Sequence, residues 1–167
     1  MEIKINESEL IEASNEGADE FLAVFIDKYK EVTKGEVTAD TMAQLNGYQN
    51  TLLAFELFRD QISEGGFVQL IQNGYGGYIF DNPFAKSMRV FGASKLSKLI
   101  YKAKEVYDAN KKNLEKETTE EEFYSMYVDF EIFDEMEEEF FEIEEESTNV
   151  VAHYVDDHLD QFATIVK

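Results

Sequence analysis

Apolar residues recur along most of this chain at spacings of three and four, the mark of helices that bury one face. Residues 18–32 place Phe21, Val24 or Phe25, Ile26 and Tyr29 on one side, and Gly35 supplies a stop. Asp40 is positioned to cap a long second helix through Met42, Leu45, Leu52, Leu53, Phe55, Leu57, Phe58 and Ile62, ending at Gly65-Gly66. The apolar piece Phe67–Ile71 predicts one or two helical turns, and Gly74, Gly76 and Gly77 around Tyr75 and Tyr78 predict a loop. Asn82-Pro83 reads as a helix start with Pro at the first helical position. That helix carries Phe84, Met88, Val90 and Phe91 and stops at Gly92. Ser94 caps the next, with Leu96, Leu99, Ile100, Ala103, Val106 and Tyr107 inward and Lys95, Lys98, Lys102 and Lys104 largely outward. Val150, Val151, Tyr154, Val155, Leu159, Phe162 and Ile165 suit a last helix.

Residues 115–146 keep the same helical signature. Thr118 and Thr119, followed three residues later by Glu121 and Glu122, give overlapping capping boxes. Phe123, Tyr127, Phe130, Phe133, Met136, Phe140 and Ile143 then recur every three or four residues, on one helix or on two short ones end to end. A disordered tail keeps no such stripe. Few segments look like strands, and no internal repeat is visible. The pattern predicts an all-α fold, a single compact helical domain over residues 1–167 with about six or seven helices. Residues 1–36 form its N-terminal helical segment.

Charge changes the picture more than composition does. The 44% of hydrophobic residues suffice for a core. The 36 acids and 15 bases leave a formal charge of −21, and 115–146 alone hold 16 acids and one base. Residues 1–114 carry a net −4 and residues 147–167 a net −2. Adaptation to high salt would spread acids over the whole surface, so a local cause is indicated. The surplus excludes direct nucleic-acid binding through phosphate neutralisation, and an anionic membrane would repel the chain. Cysteine is absent, as is any apolar run long enough to span a membrane or serve as a leader. The expected location is cytoplasmic.

Catalytic chemistry finds no foothold. There is no P-loop, three-glycine dinucleotide fingerprint or Gly-x-Ser-x-Gly elbow, and Gly74-Tyr75-Gly76-Gly77 reads as a tight turn. His153 and His158 do not share a helical face, although His153 and Asp157 do. No Glu-x-x-His pair or calcium loop accompanies the glutamates. The expectation is a protein without catalytic residues, metal or cofactor.

The glutamates themselves suggest a binding surface. On one continuous helix, residues 115–146 would span about 48 Å, one net charge per roughly 3.2 Å. One strand of B-DNA carries a phosphate about every 3.4 Å. A break near Asp129–Glu131 or Ser147 would bend this array without diluting it. The acids expected to face outward are Glu121, Glu122, Asp129, Asp134, Glu135, Glu138, Glu139, Glu142, Glu145 and Glu146. Such a face attracts a basic protein patch, and its affinity falls with salt.

The middle of the chain carries a resemblance. Residues 65–76 run Gly-Gly-Phe-Val-Gln-Leu-Ile-Gln-Asn-Gly-Tyr-Gly, followed by Ala85, Gly92-Ala93-Ser94, Leu99 to Ala103 and Tyr107. Phe130, Phe133-Asp134, Tyr154-Val155-x-x-His158 and Phe162 close the pattern. This resembles the Gly-Gly-Phe-x-Gln-x-x-x-Asn-x-x-Gly core of a bacterial all-helical family, over roughly residues 40–165. That family includes a DNA mimic that binds a helix-turn-helix transcription repressor. The resemblance implies an all-α domain and allows a homodimer. Gly65, Gly66, Phe67, Gln69 and Asn73 read as structural: a tight turn, a core ring, and amides that satisfy backbone groups. The expected function is a DNA-mimic-like inhibitor that occupies the site of a basic DNA-binding protein. The alternatives are an immunity or antitoxin protein for a basic toxin, a helical scaffold without mimicry, and an enzyme with a deep polar pocket.

Overall fold

The computed structural model describes residues 2–167. The fold is all-α, with nine α-helices, two π-helical turns and two three-residue strands among the described residues. Seven of these helices, α1 (Glu7–Glu16), α2 (Ala18–Thr33), α4 (Gly47–Leu70), α5 (Phe84–Val90), α6 (Ser94–Glu115), α7 (Glu120–Asp129) and α8 (Ile132–Asp157), carry most of the chain. The short α3 (Ala39–Ala43) and α9 (Leu159–Phe162) complete the set. The chain divides into two compact units, residues 1–56 with 148–167, and residues 57–147.

The first unit is built around α2, which buries Phe21, Leu22, Phe25, Ile26 and Tyr29 on the face that its spacing predicts. Phe162 is fully buried, its ring 6.4 Å from Phe25. Its carbonyl accepts from the Tyr29 hydroxyl at 2.7 Å and from the Gln49 amide at 3.0 Å. Asn46 adds a bond from its side-chain amide to the Gln161 carbonyl at 2.9 Å.

This unit departs from the pattern of spacing in three places. The helix drawn from Asp40 is two: Thr38, not Asp40, caps α3, and the chain restarts at Asn46, whose side chain accepts from the Gln49 amide N–H at 2.8 Å. Reciprocal bonds at each start satisfy orphan backbone donors, so two capping boxes outcompete one long helix. The last helix is not separate, because its first half continues α8 to Asp157. Ile165 is not helical either. Thr164–Val166 forms β2, parallel to β1 (Lys4–Asn6), with Ile5 opposite Ile165. The β-branched run Thr-Ile-Val suits a strand, and Ile5 is 1% exposed beside it.

The second unit centres on aromatic rings. Phe58 meets Phe67, Phe84 and Phe140 at centroid distances of 5.9, 5.8 and 5.3 Å. Phe67 stacks on Phe133 at 5.1 Å, and Phe80 lies 4.9 Å from Tyr107. Gly66 breaks α4 with φ 80° and ψ −168°, a conformation essentially closed to other residues. The break falls where Gly65-Gly66 predicts it, but the chain re-enters helix at once. The expected glycine loop is instead two π-helical turns, Ile71–Tyr75 and Gly77–Asp81, which bury Ile71, Ile79 and Phe80. Gly76 lets the Tyr107 ring approach; a Cβ there would lie 2.7 Å from a ring carbon.

Helix starts in this unit also differ locally from the pattern. Pro83 precedes the first residue of α5, and Val90 is 58% exposed. Ser94 is the first residue of α6, with no side-chain cap. Ser97, one turn on, is buried and donates to the Ala85 carbonyl at 2.6 Å. Gln69 and Asn73 donate to the Gln61 side chain, while Gln72 donates to the backbone carbonyls of Leu114 and Lys116. The amide that satisfies backbone groups is therefore the one that the motif leaves unspecified.

Candidate functional site: an acidic helix face

The acidic segment lies entirely within the second unit. It folds as α7 and the first half of α8, broken at Phe130–Glu131. The stripe does what its spacing predicts: Phe133, Met136 and Phe140 are buried, and Phe123, Tyr127, Phe130 and Ile143 are partly so. With the apolar side fixed inward, the acids have one direction left. Nine of the ten candidates are exposed, and Glu139 is partly buried.

Seven of them share α8. At about 100° per residue, Asp134, Glu135, Glu138, Glu139, Glu142, Glu145 and Glu146 fall within roughly 140° of arc. They form one face, with neighbours three or four residues apart. The remaining three lie on α7. Glu121 and Glu122 occupy its first turn, and Asp129 is its last residue. Of the two overlapping capping boxes, the structure forms Thr119–Glu122: Glu122 N–H donates to Thr119 Oγ1 at 3.2 Å, and Thr119 N–H to the Glu122 carboxylate at 3.3 Å. Thr118 instead donates to Gln72 Oε1 at 2.9 Å. Glu122 thus serves its own helix start as well as the surface.

Two of the seven α8 acids meet the lysines of α6. Glu146 pairs with Lys95 at 2.9 Å and Glu139 with Lys102 at 3.8 Å, with 43% of the Glu139 side chain and 58–65% of the other three exposed. Exposed pairs of this kind are worth little, so an incoming cation can replace them. Asp134, Glu135, Glu138, Glu142 and Glu145 pair with no cation among the described residues. They span about 17 Å of helix, one charge per roughly 3–4 Å, close to the spacing on a DNA strand.

The acids that leave this face have inward tasks. Glu144 lies 3.6 Å from the Arg59 guanidinium. Glu137 accepts from the Phe67 N–H at 2.8 Å, capping the helix that restarts after Gly66. A Cβ at Gly66 would collide with that carboxylate. Tyr127 completes the junction, its hydroxyl donating to the Gly65 carbonyl at 2.9 Å. The capping role of Glu137 has no sequence signal, because its partner is 70 residues away.

Burial, aided by the charge of Asp134, raises the Glu137 carboxyl above its ordinary value of 4.5, against the opposing pull of the Phe67 N–H. A raised carboxyl contributes most when protonated, and that contribution is lost as pH rises from 4.5 through the folded value. Glu137→Gln should therefore gain stability relative to the native chain as pH rises through this window. Glu137→Ala should lose about 0.5–2 kcal/mol with the cap. Urea unfolding of the three proteins across that range checks both.

The two histidines follow the acidic segment in sequence and belong to the first unit. His158 Nδ1 lies 2.7 Å from the Tyr154 carbonyl, and its ring stacks on Tyr154 at 4.0 Å. His153 lines an open hollow of about 290 Å³ in the first unit, with Ser14, Phe21, Asn149 and Asp156. Among the described residues, no three His, Asp or Glu side chains group as a metal would need. No helix there is long and apolar enough to cross a membrane.

Comparison with known proteins gives this arrangement a relative. DNA mimic protein DMP19 of Neisseria meningitidis serogroup B (strain ATCC BAA-335 / MC58) is 34% identical over 129 residues, covering 75% of this chain and 77% of that protein. A family profile described as DMP19-like protein matches residues 43–158, a span that includes the glycine junction, the lysine-bearing helix and the whole acidic segment. The chain therefore belongs to the DMP19-like protein family.

Proposed function

We propose that this protein is a DNA mimic that binds a basic, nucleic-acid-binding protein and blocks the site where that protein holds DNA. The observation that carries the reading is the single face of α8, with five uncompensated carboxylates at roughly the linear spacing of phosphates. Membership of the family of a DNA mimic supports it. The carboxylates are fixed by a packed apolar stripe, so they meet a partner without first being ordered. The whole negative field steers a cationic partner toward the face and raises its association rate. The protein acts in the cytoplasm, where such partners work.

The reading predicts salt-sensitive capture. Coupled to a matrix, the protein retains basic DNA-binding proteins of its host at low salt and releases them at high salt. Duplex DNA added at low salt elutes the same proteins. Retention that duplex DNA leaves untouched contradicts a shared site and favours a surface unrelated to DNA, such as that of a basic toxin.

A further inference from the structure

Charge mimicry leaves one feature of this surface unexplained. Among the described residues, four of the nine exposed large apolar side chains lie on the acidic segment: Tyr124, Val128, Ile132 and Phe141. A phosphate array has no counterpart to them. Phe141 is the most telling. Its neighbour Phe140 is fully buried, whereas Phe141 is 52% exposed. On the helix it stands three or four residues from Glu137, Glu138, Glu144 and Glu145, at Cβ separations of about 5–6 Å. Glu137 and Glu144 are engaged inward by the Phe67 N–H and Arg59. Glu138 and Glu145 belong to the outward face and pair with no cation of the second unit.

An exposed ring between two uncompensated carboxylates selects one kind of occupant. A guanidinium is planar and weakly hydrated; it stacks on an aromatic face while its N–H fork reaches carboxylates. A lysine ammonium is a compact, strongly hydrated point charge that satisfies the carboxylates but gains less from the ring. The geometry points to Phe141, flanked by Glu138 and Glu145, as an arginine-receiving position, which makes the preferred partner an arginine-bearing basic protein surface. This rests on the acidic-face reading and deepens it: the carboxylates attract any cation, and the ring discriminates among them.

Octa-arginine and octa-lysine peptides serve as probes, titrated into the full-length protein at about 50 mM salt, where screening is modest. The native protein binds octa-arginine more tightly. Phe141→Ala lowers the octa-arginine affinity by about two- to fivefold, the range of an exposed cation–aromatic contact, and lowers the octa-lysine affinity by less. Phe141→Leu, which keeps apolar area without a ring, behaves as Phe141→Ala. Equal losses for both peptides, no loss for either, or full rescue by Leu overturns the inference. The double variant Glu138→Gln, Glu145→Gln tests the underlying reading separately, because it should weaken both peptides. If it weakens neither, the acidic face is not the site; if it does while Phe141→Ala is silent, only the ring's role fails.

Discussion

Replacing Glu135, Glu138, Glu142 and Glu145 together with glutamine should abolish most partner binding and leave the fold intact. These four lie on the outward face of α8 and pair with no cation of the second unit. Each exposed carboxylate that meets a basic side chain is worth roughly 0.5–1 kcal/mol, so four remove about 2–4 kcal/mol, roughly a thirty- to thousandfold loss of affinity. Stability should hold or rise by about 1 kcal/mol, because like charges three or four residues apart repel by a few tenths of a kcal/mol per pair. Titration of the captured partner and thermal unfolding of the variant read the two effects. Replacing Glu139 and Glu146 alone should do less, since Lys102 and Lys95 already neutralise them in part.

The largest expected loss of stability lies at Phe58. It is fully buried, and its ring meets one ring before α5, one within it and one on the acidic helix, Phe67, Phe84 and Phe140. Phe58→Ala leaves a cavity where three aromatic neighbours cannot all collapse, at about 3–5 kcal/mol. For a chain of this size that lowers the thermal midpoint by roughly 6–20 °C. Phe141→Ala, on an exposed ring of the same segment, should stay within about 0.5 kcal/mol of the native protein. Calorimetry of the two variants separates core from surface, although both remove a phenylalanine side chain.

What the sequence makes legible follows from the range of the forces involved. Helical periodicity is local, so the buried stripe from Phe133 to Phe140 and the outward direction of the acids were both readable. The break at Phe130–Glu131 was legible only as one of two options: the stripe passes through Phe130 at regular spacing, and α8 runs on unbroken through Ser147, the other place where a break was allowed. Pairings between distant segments were not legible. Thr164–Val166 looks like the end of a helix until Lys4–Asn6 is known to lie beside it. The π-helical turns after Leu70 look like a glycine loop until Phe80 finds Tyr107. Within the candidate site, Glu137 and Glu144 are chemically identical to their neighbours. Only Phe67 and Arg59, 70 and 85 positions away, take them off the face. Phe141 illustrates the converse: it falls outside the stripe, and its exposure becomes informative only when the acids around it are placed.

Mimicry of DNA by the acidic face is tested most directly by displacement. A DNA-binding protein captured from the host at low salt is bound to fluorescently labelled duplex DNA, and the anisotropy is followed as this protein is added. The native protein should release the duplex, less so as salt is raised, and the variant with Glu135, Glu138, Glu142 and Glu145 changed to glutamine should not release it. Binding of the native protein that leaves the duplex in place, or release undiminished by the four substitutions, would contradict that mimicry.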